Sequence, residues 1–197
     1  MNRNAIIVIA LILVIVGVAL ILTTNNALLP SKPPVASPSP AAAQVSQQDW
    51  QLFENKQYNI SFKYPPSWSV NPATQVFENG DLVAVQFTGA TQKEQTEFYD
   101  GARFVVMIPQ AATLDLNSWV NSKHSTTVSG TPPQFSDTVI NGVTFRKVYE
   151  CGLGCFTYYY RVVGGQGFGI VVSAAGSQEV ELNAILSEIL KTLVISK

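Results

Sequence analysis

The chain has 197 residues with 12 Lys or Arg and 13 Asp or Glu, so its net charge is −1. This balance excludes a protein that binds nucleic acid through a basic surface, which would need a strong positive excess. All aromatic residues (10 Phe, 7 Tyr and 3 Trp) lie at or after Trp50, so the preceding residues lack the side chains of a packed core. The rest of the chain is long enough for one compact domain.

The first predicted element is a membrane anchor, Ala5–Leu22, with the sequence AIIVIALILVIVGVALIL. As a helix this uncharged run would be about 27 Å long, close to the hydrocarbon thickness of a bilayer. The alternative is a cleaved signal peptide, whose apolar region usually spans about 7–15 residues and ends at a small-residue site. Here the run is longer, and the nearest such site, Ala41-Ala42-Ala43, lies far beyond its end. An uncleaved, single-pass anchor is therefore the favoured interpretation.

The charges that flank this run predict its orientation. Arg3 precedes the run, whereas the first positive residue after it is Lys32. Positive residues favour the cytoplasmic side, so we expect a cytoplasmic N-terminus and an extracytoplasmic C-terminal part in the cell membrane.

A linker, Thr23–Gln48, follows the anchor and contains Pro30, Pro33, Pro34, Pro38 and Pro40. It shows no hydrophobic periodicity and cannot bury enough apolar surface to offset its chain entropy. Proline-rich chain favours extended polyproline II, so the segment is predicted to be a semi-rigid stalk. The alternative, a ligand for an SH3-type domain, fits an extracytoplasmic segment poorly.

Alternating apolar residues predict strands in the first half of the remaining chain. In Tyr58–Tyr64, the residues Tyr58, Ile60, Phe62 and Tyr64 share one face. Pro65-Pro66 ends this strand, because proline cannot donate to a sheet ladder. Further strands are predicted at Trp68–Val70, Leu82–Thr88 and Arg103–Pro109.

Two helices and five more strands are predicted after residue 109. Asp115 is expected to cap the first helix, which has an apolar stripe of Leu116, Trp119 and Val120. Ser177 is expected to cap the second helix, whose apolar face contains Leu182, Ile185, Leu186, Ile189 and Leu190. Asn141-Gly142, between Phe135–Ile140 and Val143–Glu150, is a strong hairpin signal. The other strands are Phe156–Val163 and Phe168–Ala174, joined by the turn Gly164–Gly167, and a closing strand Leu193–Ile195.

Short turns between most strands predict an α+β fold, with a mainly antiparallel sheet flanked by two helices. The predicted organisation is an anchor at residues 1–22, a linker at residues 23–48 and a globular domain at residues 49–197.

Three short motifs in this domain resemble PsbP-like domains. The first motif, similar to their opening Y-x-x-S-F-x-Y-P-x-x-W, is Tyr58-Asn-Ile-Ser-Phe-Lys-Tyr-Pro-Pro-Ser-Trp68. The second, Ile140–Val143, resembles their "ingv" hairpin, and the third, Ile189–Leu193, resembles their closing helix-to-strand step. The resemblance implies the Mog1/PsbP α/β/α sandwich. Characterised members are non-enzymatic: PsbP supports a photosystem, and Mog1 binds a small GTPase. Fold alone does not determine function, and the stalked anchor departs from both of these members.

Cys151 and Cys155 form C-G-L-G-C between two predicted strands. In an oxidising compartment they are expected to form a structural disulfide, with their Cα atoms about 5–6 Å apart. The alternatives are free thiols, a redox pair or half of a metal site. Redox pairs usually have C-x-x-C spacing, and a zinc site needs four ligands.

Other candidate residues favour structural roles. The single His124, near the end of the first helix, is interpreted as a helix C-terminal cation, with a catalytic base as the alternative. Glu94, Glu97 and Asp100 lack a calcium-binding pattern and are expected to lie in a solvated loop. No catalytic residue, metal site or cofactor is predicted.

The stretch Phe156–Arg161 provides a candidate binding face. If it forms a strand, Phe156, Tyr158 and Tyr160 share one face, while Thr157, Tyr159 and Arg161 share the other. One face must belong to the core, and Tyr159 beside Arg161 on the other is a composition typical of recognition surfaces. Ordinary cross-strand packing is the alternative.

Two functions are compatible with these observations. The first is a non-catalytic extracytoplasmic binding or accessory module on a membrane stalk, with an unidentified protein or envelope polymer as its partner. The second is a surface-anchored hydrolase with an unrecognised carboxylate site. A deep pocket with two carboxylates about 5–10 Å apart would favour the hydrolase, whereas a flat aromatic face would favour the binding module.

Overall fold

The computed structural model describes residues 47–72, 80–94, 96–124 and 132–196. The predicted anchor, Ala5–Leu22, and the linker up to residue 46 lie outside the described residues. Within these four ranges, neither helix has the length and apolar character needed to cross a bilayer.

Eleven strands and two helices make up the described chain. In chain order they are β1 (Gln51–Asn55), β2 (Ile60–Tyr64), β3 (Ser69–Pro72), β4 (Asp81–Thr88), β5 (Gly101–Met107), β6 (Gln110–Ala111), α1 (Leu116–Lys123), β7 (Gln134–Ile140), β8 (Val143–Cys151), β9 (Cys155–Val163), β10 (Gln166–Ala175), α2 (Glu179–Thr192) and β11 (Val194–Ile195).

The strands form one large and one small sheet. The large sheet has the order β3-β4-β5-β10-β9-β8-β7, with β6 pairing with β10 as well, and the small sheet has the order β1-β2-β11. All pairs between these strands are antiparallel. The described chain is therefore α+β, with a mainly antiparallel sheet and two helices, as the sequence predicted.

Apolar side chains fill both faces of the large sheet because its central strands are apolar at successive positions. In β5, Phe104 and Val106 point into the larger core, and Val105 and Met107 into the smaller one. The larger core is closed by α2 and the small sheet, through Leu182, Leu186, Ile189, Ile60 and Phe62. The smaller core is closed by α1, through Trp119 and Val120. One helix thus packs on each face.

Local signals in the sequence fix several element boundaries. Asp115 caps α1, since its carboxylate accepts a hydrogen bond from the Ser118 backbone amide at 3.1 Å. Asn141-Gly142 joins β7 to β8, and both residues have positive φ (50° and 73°), as a two-residue hairpin turn of this kind requires. Both predictions are confirmed.

Other predicted boundaries need correction. Ser177 does not cap α2: the N-cap is Gln178, and its side chain makes no capping hydrogen bond. The turn between β9 and β10 is limited to Gly164-Gly165, because both glycines adopt positive φ and β10 already begins at Gln166. Strand β1 was not predicted, because its sequence QLFEN has little apolar alternation.

Candidate binding face

The predicted binding residues lie on the outer strands of the large sheet. In the register of β8 and β9, Lys147 pairs with Tyr159 and Tyr149 pairs with Thr157. Paired residues point to the same side of a sheet, and Arg161 shares that side because it lies two residues after Tyr159. We call this set the outer-strand face: Lys147, Tyr149, Thr157, Tyr159 and Arg161.

The position of α2 explains why this face is accessible. The helix packs over β5 and β10, near the centre of the large sheet, and against β2 of the small sheet. The outer strands extend beyond these contacts, and Tyr149 is 39% exposed. Lys147 and Thr157 are half-buried, and Ser136 and Gln134, which pair with Lys147 and Tyr149, are exposed. A tyrosine, a lysine and small polar residues therefore lie together on this side of β7, β8 and β9.

Tyr159 and Arg161 lie at the inner margin of this face. Tyr159 is half-buried and packs against the larger core, and burial raises the pKa of its phenol. The Arg161 guanidinium is half-buried and donates from Nη1 to the carbonyl oxygen of Ile195 at 3.4 Å. Both residues therefore support the core edge as well as the face, and their role in binding stays a prediction.

The cysteine loop lies at the end of the same two strands. Cys151 and Cys155 form a disulfide, as predicted, and pair directly across the hairpin with a Cα–Cα distance of 4.1 Å. The expected distance of about 5–6 Å was too long, because the two cysteines pair directly across the hairpin, where the closer type of antiparallel pair brings Cα atoms to about 4.5 Å. The loop presents Leu153 at 92% exposure, and the Tyr149 hydroxyl lies 3.2 Å from Cys151 Sγ.

A cluster of titratable side chains that the sequence did not predict lies on the opposite face of β8 and β9. His124 Nδ1 is 2.9 Å from Glu150 Oε2, and His124 Nε2 is 2.9 Å from the Tyr160 hydroxyl. The Glu150 carboxylate can only accept, so Nδ1 donates to it, and the Tyr160 hydroxyl donates to Nε2 when the ring is neutral. The Tyr158 ring contacts the His124 ring at 4.8 Å between centroids. We call these four residues the His124 cluster.

Burial dominates the chemistry of the His124 cluster. Burial raises the pKa of Tyr158, and the negative charge of Glu150 adds to this effect. Burial likewise raises the pKa of Tyr160, with smaller contributions from Tyr158 and Glu150. Both phenols therefore stay protonated and can donate hydrogen bonds at neutral pH.

This environment corrects the prediction for His124. The residue does follow the last residue of α1, and its amide bonds to Val120. Its side chain, however, is buried and bonded to Glu150 and Tyr160, contacts that the interpretation as a helix C-terminal cation did not include. Both ring nitrogens are engaged within the protein, so the cluster joins α1 to β8 and β9.

Asp100 also differs from the prediction of a solvated loop. Glu94 and Glu97 are exposed as expected, but Asp100 is only 3% exposed. Its Oδ2 accepts hydrogen bonds from Thr91 Oγ1 at 2.6 Å and from the Thr91 amide at 2.8 Å. These bonds, the hydroxyl first, lower the pKa of the Asp100 carboxyl. The residue therefore anchors the loop between β4 and β5.

In the described ranges, no three His, Cys, Asp or Glu side chains converge as a metal site would require.

The comparisons with known proteins found no matching family model and no significantly matching curated protein. Two similar solved structures are the solution structure of cyanobacterial PsbP (CyanoP) from Synechocystis sp. PCC 6803 and a crystal structure from Bacteroides thetaiotaomicron VPI-5482. The first is 11% identical with a TM-score of 0.46, covering 83% of this chain and 99% of that chain. The second is 14% identical with a TM-score of 0.39, covering 75% of this chain and 48% of that chain. The first is a PsbP, from the family that the sequence motifs resemble.

Proposed function

We propose that this protein is a non-catalytic binding module, displayed outside the cytoplasm on a membrane-anchored stalk, which binds a partner protein or envelope polymer through the outer-strand face. The anchor and stalk in this proposal are Ala5–Leu22 and Thr23–Gln48. The binding residues are Tyr159 and Arg161, extended by Lys147 and Tyr149.

The observation that carries the proposal is the contrast between the two parts of one sheet face. The central part is covered by α2, whereas the outer part exposes Tyr149 beside Lys147 and the half-buried Tyr159. Tyrosine supplies a large contact area at a small entropic cost and is enriched in the energetically important positions of interfaces. An exposed aromatic side chain on the outer strands, such as Tyr149, supports a binding module rather than a hydrolase.

Two further observations support the proposal. The disulfide between Cys151 and Cys155 fits an oxidising compartment, where such bonds persist. The resemblance of the sequence motifs to PsbP-like domains implies an accessory role, because characterised members of that family support or bind other proteins.

The interface is tested by site-specific photocrosslinking of the full-length chain in its native cells. We expect Tyr149→p-benzoylphenylalanine to give one discrete crosslinked species that Lys147→Glu in the same chain abolishes. The matched control is Val180→p-benzoylphenylalanine, because Val180 is 81% exposed on α2, which packs mainly over β2, β5 and β10. A Tyr149 crosslink that survives Lys147→Glu, or the same species from both positions, would contradict the proposed interface.

The topology is tested separately by extracting membranes at alkaline pH and measuring the intact mass of the protein. We expect the chain to stay in the membrane pellet with its N-terminus intact. Protease added to whole cells should remove the globular domain. A mature protein that begins near Gln44 and is released in soluble form would refute the anchor and leave the crosslinking result unaffected.

A further inference from the structure

A cleft of about 320 Å³ lies between two turns and the end of β11. One wall is the turn between β1 and β2, with Gln57, Tyr58 and Asn59. The other is the start of β10, with Gln166 and Phe168, and Ser196 closes the end. Sites for small ligands typically measure about 300–1,000 Å³, so the cleft has room for one small molecule or one end of a polymer.

The walls of this cleft are held by the backbone. The Ser196 amide donates to the Asn59 carbonyl at 3.2 Å, and the Tyr58 amide donates to Asn55 Oδ1 at 3.1 Å. Asn59 adopts a left-handed conformation (φ 50°), which turns the chain back towards β2. The opposite wall is fixed by the pairing of β10 with β9. The cleft is therefore formed without a ligand.

Its lining combines aromatic surface with neutral polar groups. Phe168, 3% exposed, belongs to the larger core, and Tyr58 is half-buried against that core. Three amides and a hydroxyl surround them, on the exposed residues Gln57, Asn59, Gln166 and Ser196. None of the described lining residues is charged.

We propose that this cleft is a binding site for a neutral saccharide, either a hexose or an N-acetylhexosamine. Side-chain amides offer both donors and acceptors, which matches the paired hydroxyls of a sugar ring. The half-buried Tyr58 side chain, rather than the buried Phe168, provides an apolar surface for the C–H face of the same ring. A peptide bound by strand addition would need a longer open edge than β11 provides, because β11 is an edge strand of only two residues and reaches this cleft only through Ser196, which follows it. A charged ligand would find no opposite charge among the lining residues.

The cleft adjoins the outer-strand face, because Phe168 pairs with Arg161, but none of its lining residues belongs to that face. Its test uses soluble sugars and other variants, so it does not depend on the crosslinking result. We would titrate the full-length chain, purified in a zwitterionic detergent without a sugar headgroup, by isothermal calorimetry. The probes are cellotriose, maltotriose and tri-N-acetylchitotriose, with trialanine as the peptide probe. We expect saturable binding of at least one trisaccharide and none of trialanine.

The key variant is Gln57→Ala with Gln166→Ala, since both glutamines are exposed and their loss leaves the core intact. We expect it to weaken binding at least about tenfold, equivalent to about 1.4 kcal/mol. The matched control is Gln178→Ala, an exposed glutamine beyond the far end of β10, about 30 Å away along a strand of this length. It should leave affinity within about twofold.

Three results would overturn the proposal. The first is that no trisaccharide binds saturably at about 10 mM. The second is that the double glutamine variant binds the sugar as tightly as the unmodified chain does. The third is that trialanine binds and the sugars do not. The last would identify a peptide site.

Discussion

Nδ1 of His124 lies 2.9 Å from Oε2 of Glu150, so the end of α1 is joined to β8 by a hydrogen bond between residues 26 positions apart. Glu150 leads directly into the disulfide loop, and only 19% of its side chain is exposed. The same imidazole forms a hydrogen bond with the hydroxyl of Tyr160. The ring of Tyr160 in turn packs edge-on against Trp119 of α1. One side chain thus connects a helix with two strands.

We expect His124→Ala to lower the free energy of unfolding by about 2–3 kcal/mol, because it leaves the buried Tyr160 hydroxyl without its partner and removes the bond from His124 to Glu150, which then keeps its hydrogen bond with Tyr158. Urea unfolding of the full-length chain, followed by circular dichroism, measures this change. The matched control is Lys191→Ala, which removes an exposed ion pair with Glu188 and should cost under about 0.5 kcal/mol. If both variants lower the free energy of unfolding equally, the His124 cluster contributes no more to stability than a surface ion pair does.

The sequence predicts most of the fold because its signals are local. Asn141-Gly142 defines a hairpin by its own backbone preference, and Asp115 defines a helix start by its own side chain. Ser177 shows the limit of such signals, because a capping residue type was present and α2 nevertheless begins without its help.

The His124 cluster could not be predicted in this way. It depends on the register of β8 with β9 and on the position of α1 over them, which are relationships between distant segments. His124 and Glu150 each look like ordinary polar residues in their own sequence context. The outer-strand face was predicted in part, since alternation placed Tyr159 and Arg161 together. The contribution of Lys147 and Tyr149 required the strand register, and the accessibility of the face required the position of α2.

Acid should destabilise the protein in part through Asp100. Hydrogen bonds from Thr91 place the folded-state pKa of this carboxyl below its unfolded value of about 3.9. The stability that Asp100 contributes is therefore complete above the unfolded-state pKa. It is lost as the pH falls through the lower, folded-state pKa. We expect Thr91→Val to reduce the loss of stability between about pH 5 and pH 2, because the hydroxyl provides the largest part of the pKa shift.

The measurement is a series of urea unfolding curves at different pH values. The matched control is Thr144→Val, at an exposed position of β8, which should keep the full acid dependence of the unmodified chain. If Thr91→Val leaves the dependence of the free energy of unfolding on pH unchanged, the acid sensitivity belongs to other carboxyls. One of these is Asp115, whose pKa is also lowered by hydrogen bonds from Ser118.

The disulfide is expected to contribute stability rather than chemistry. Replacing both cysteines, Cys151→Ser and Cys155→Ser, should cost about 2 kcal/mol, since the bond closes a short loop. The crosslink formed from position 149 should persist, because the hairpin register is also held by the pairing along β8 and β9. Thiol titration of the unmodified protein, denatured without reductant, should find no free thiol. Two free thiols in protein from its native membrane would refute the bond and argue against an extracytoplasmic domain.

The contact between α1 and the sheet depends on the absence of a side chain at Gly167. A Cβ atom built there would lie 2.4 Å from two carbons of the Trp119 ring, far inside van der Waals contact. Trp119 is buried, and its ring packs edge-on against Tyr160 at 5.5 Å between centroids. The indole therefore cannot move aside without lifting α1 from the strands.

Gly167→Ala should accordingly lower the free energy of unfolding by about 1–3 kcal/mol, the usual cost of forcing a methyl group into a packed core. The matched control is Gly154→Ala, because its added Cβ would meet only the Phe156 ring, at an ordinary 3.5 Å, and should change stability by under about 0.5 kcal/mol. Adding Trp119→Phe, with its smaller ring, to Gly167→Ala should restore part of the loss, giving a coupling energy of at least about 0.5 kcal/mol in a double-mutant cycle. Strictly additive losses would mean that the two residues do not meet, and that α1 packs on β10 in a different position.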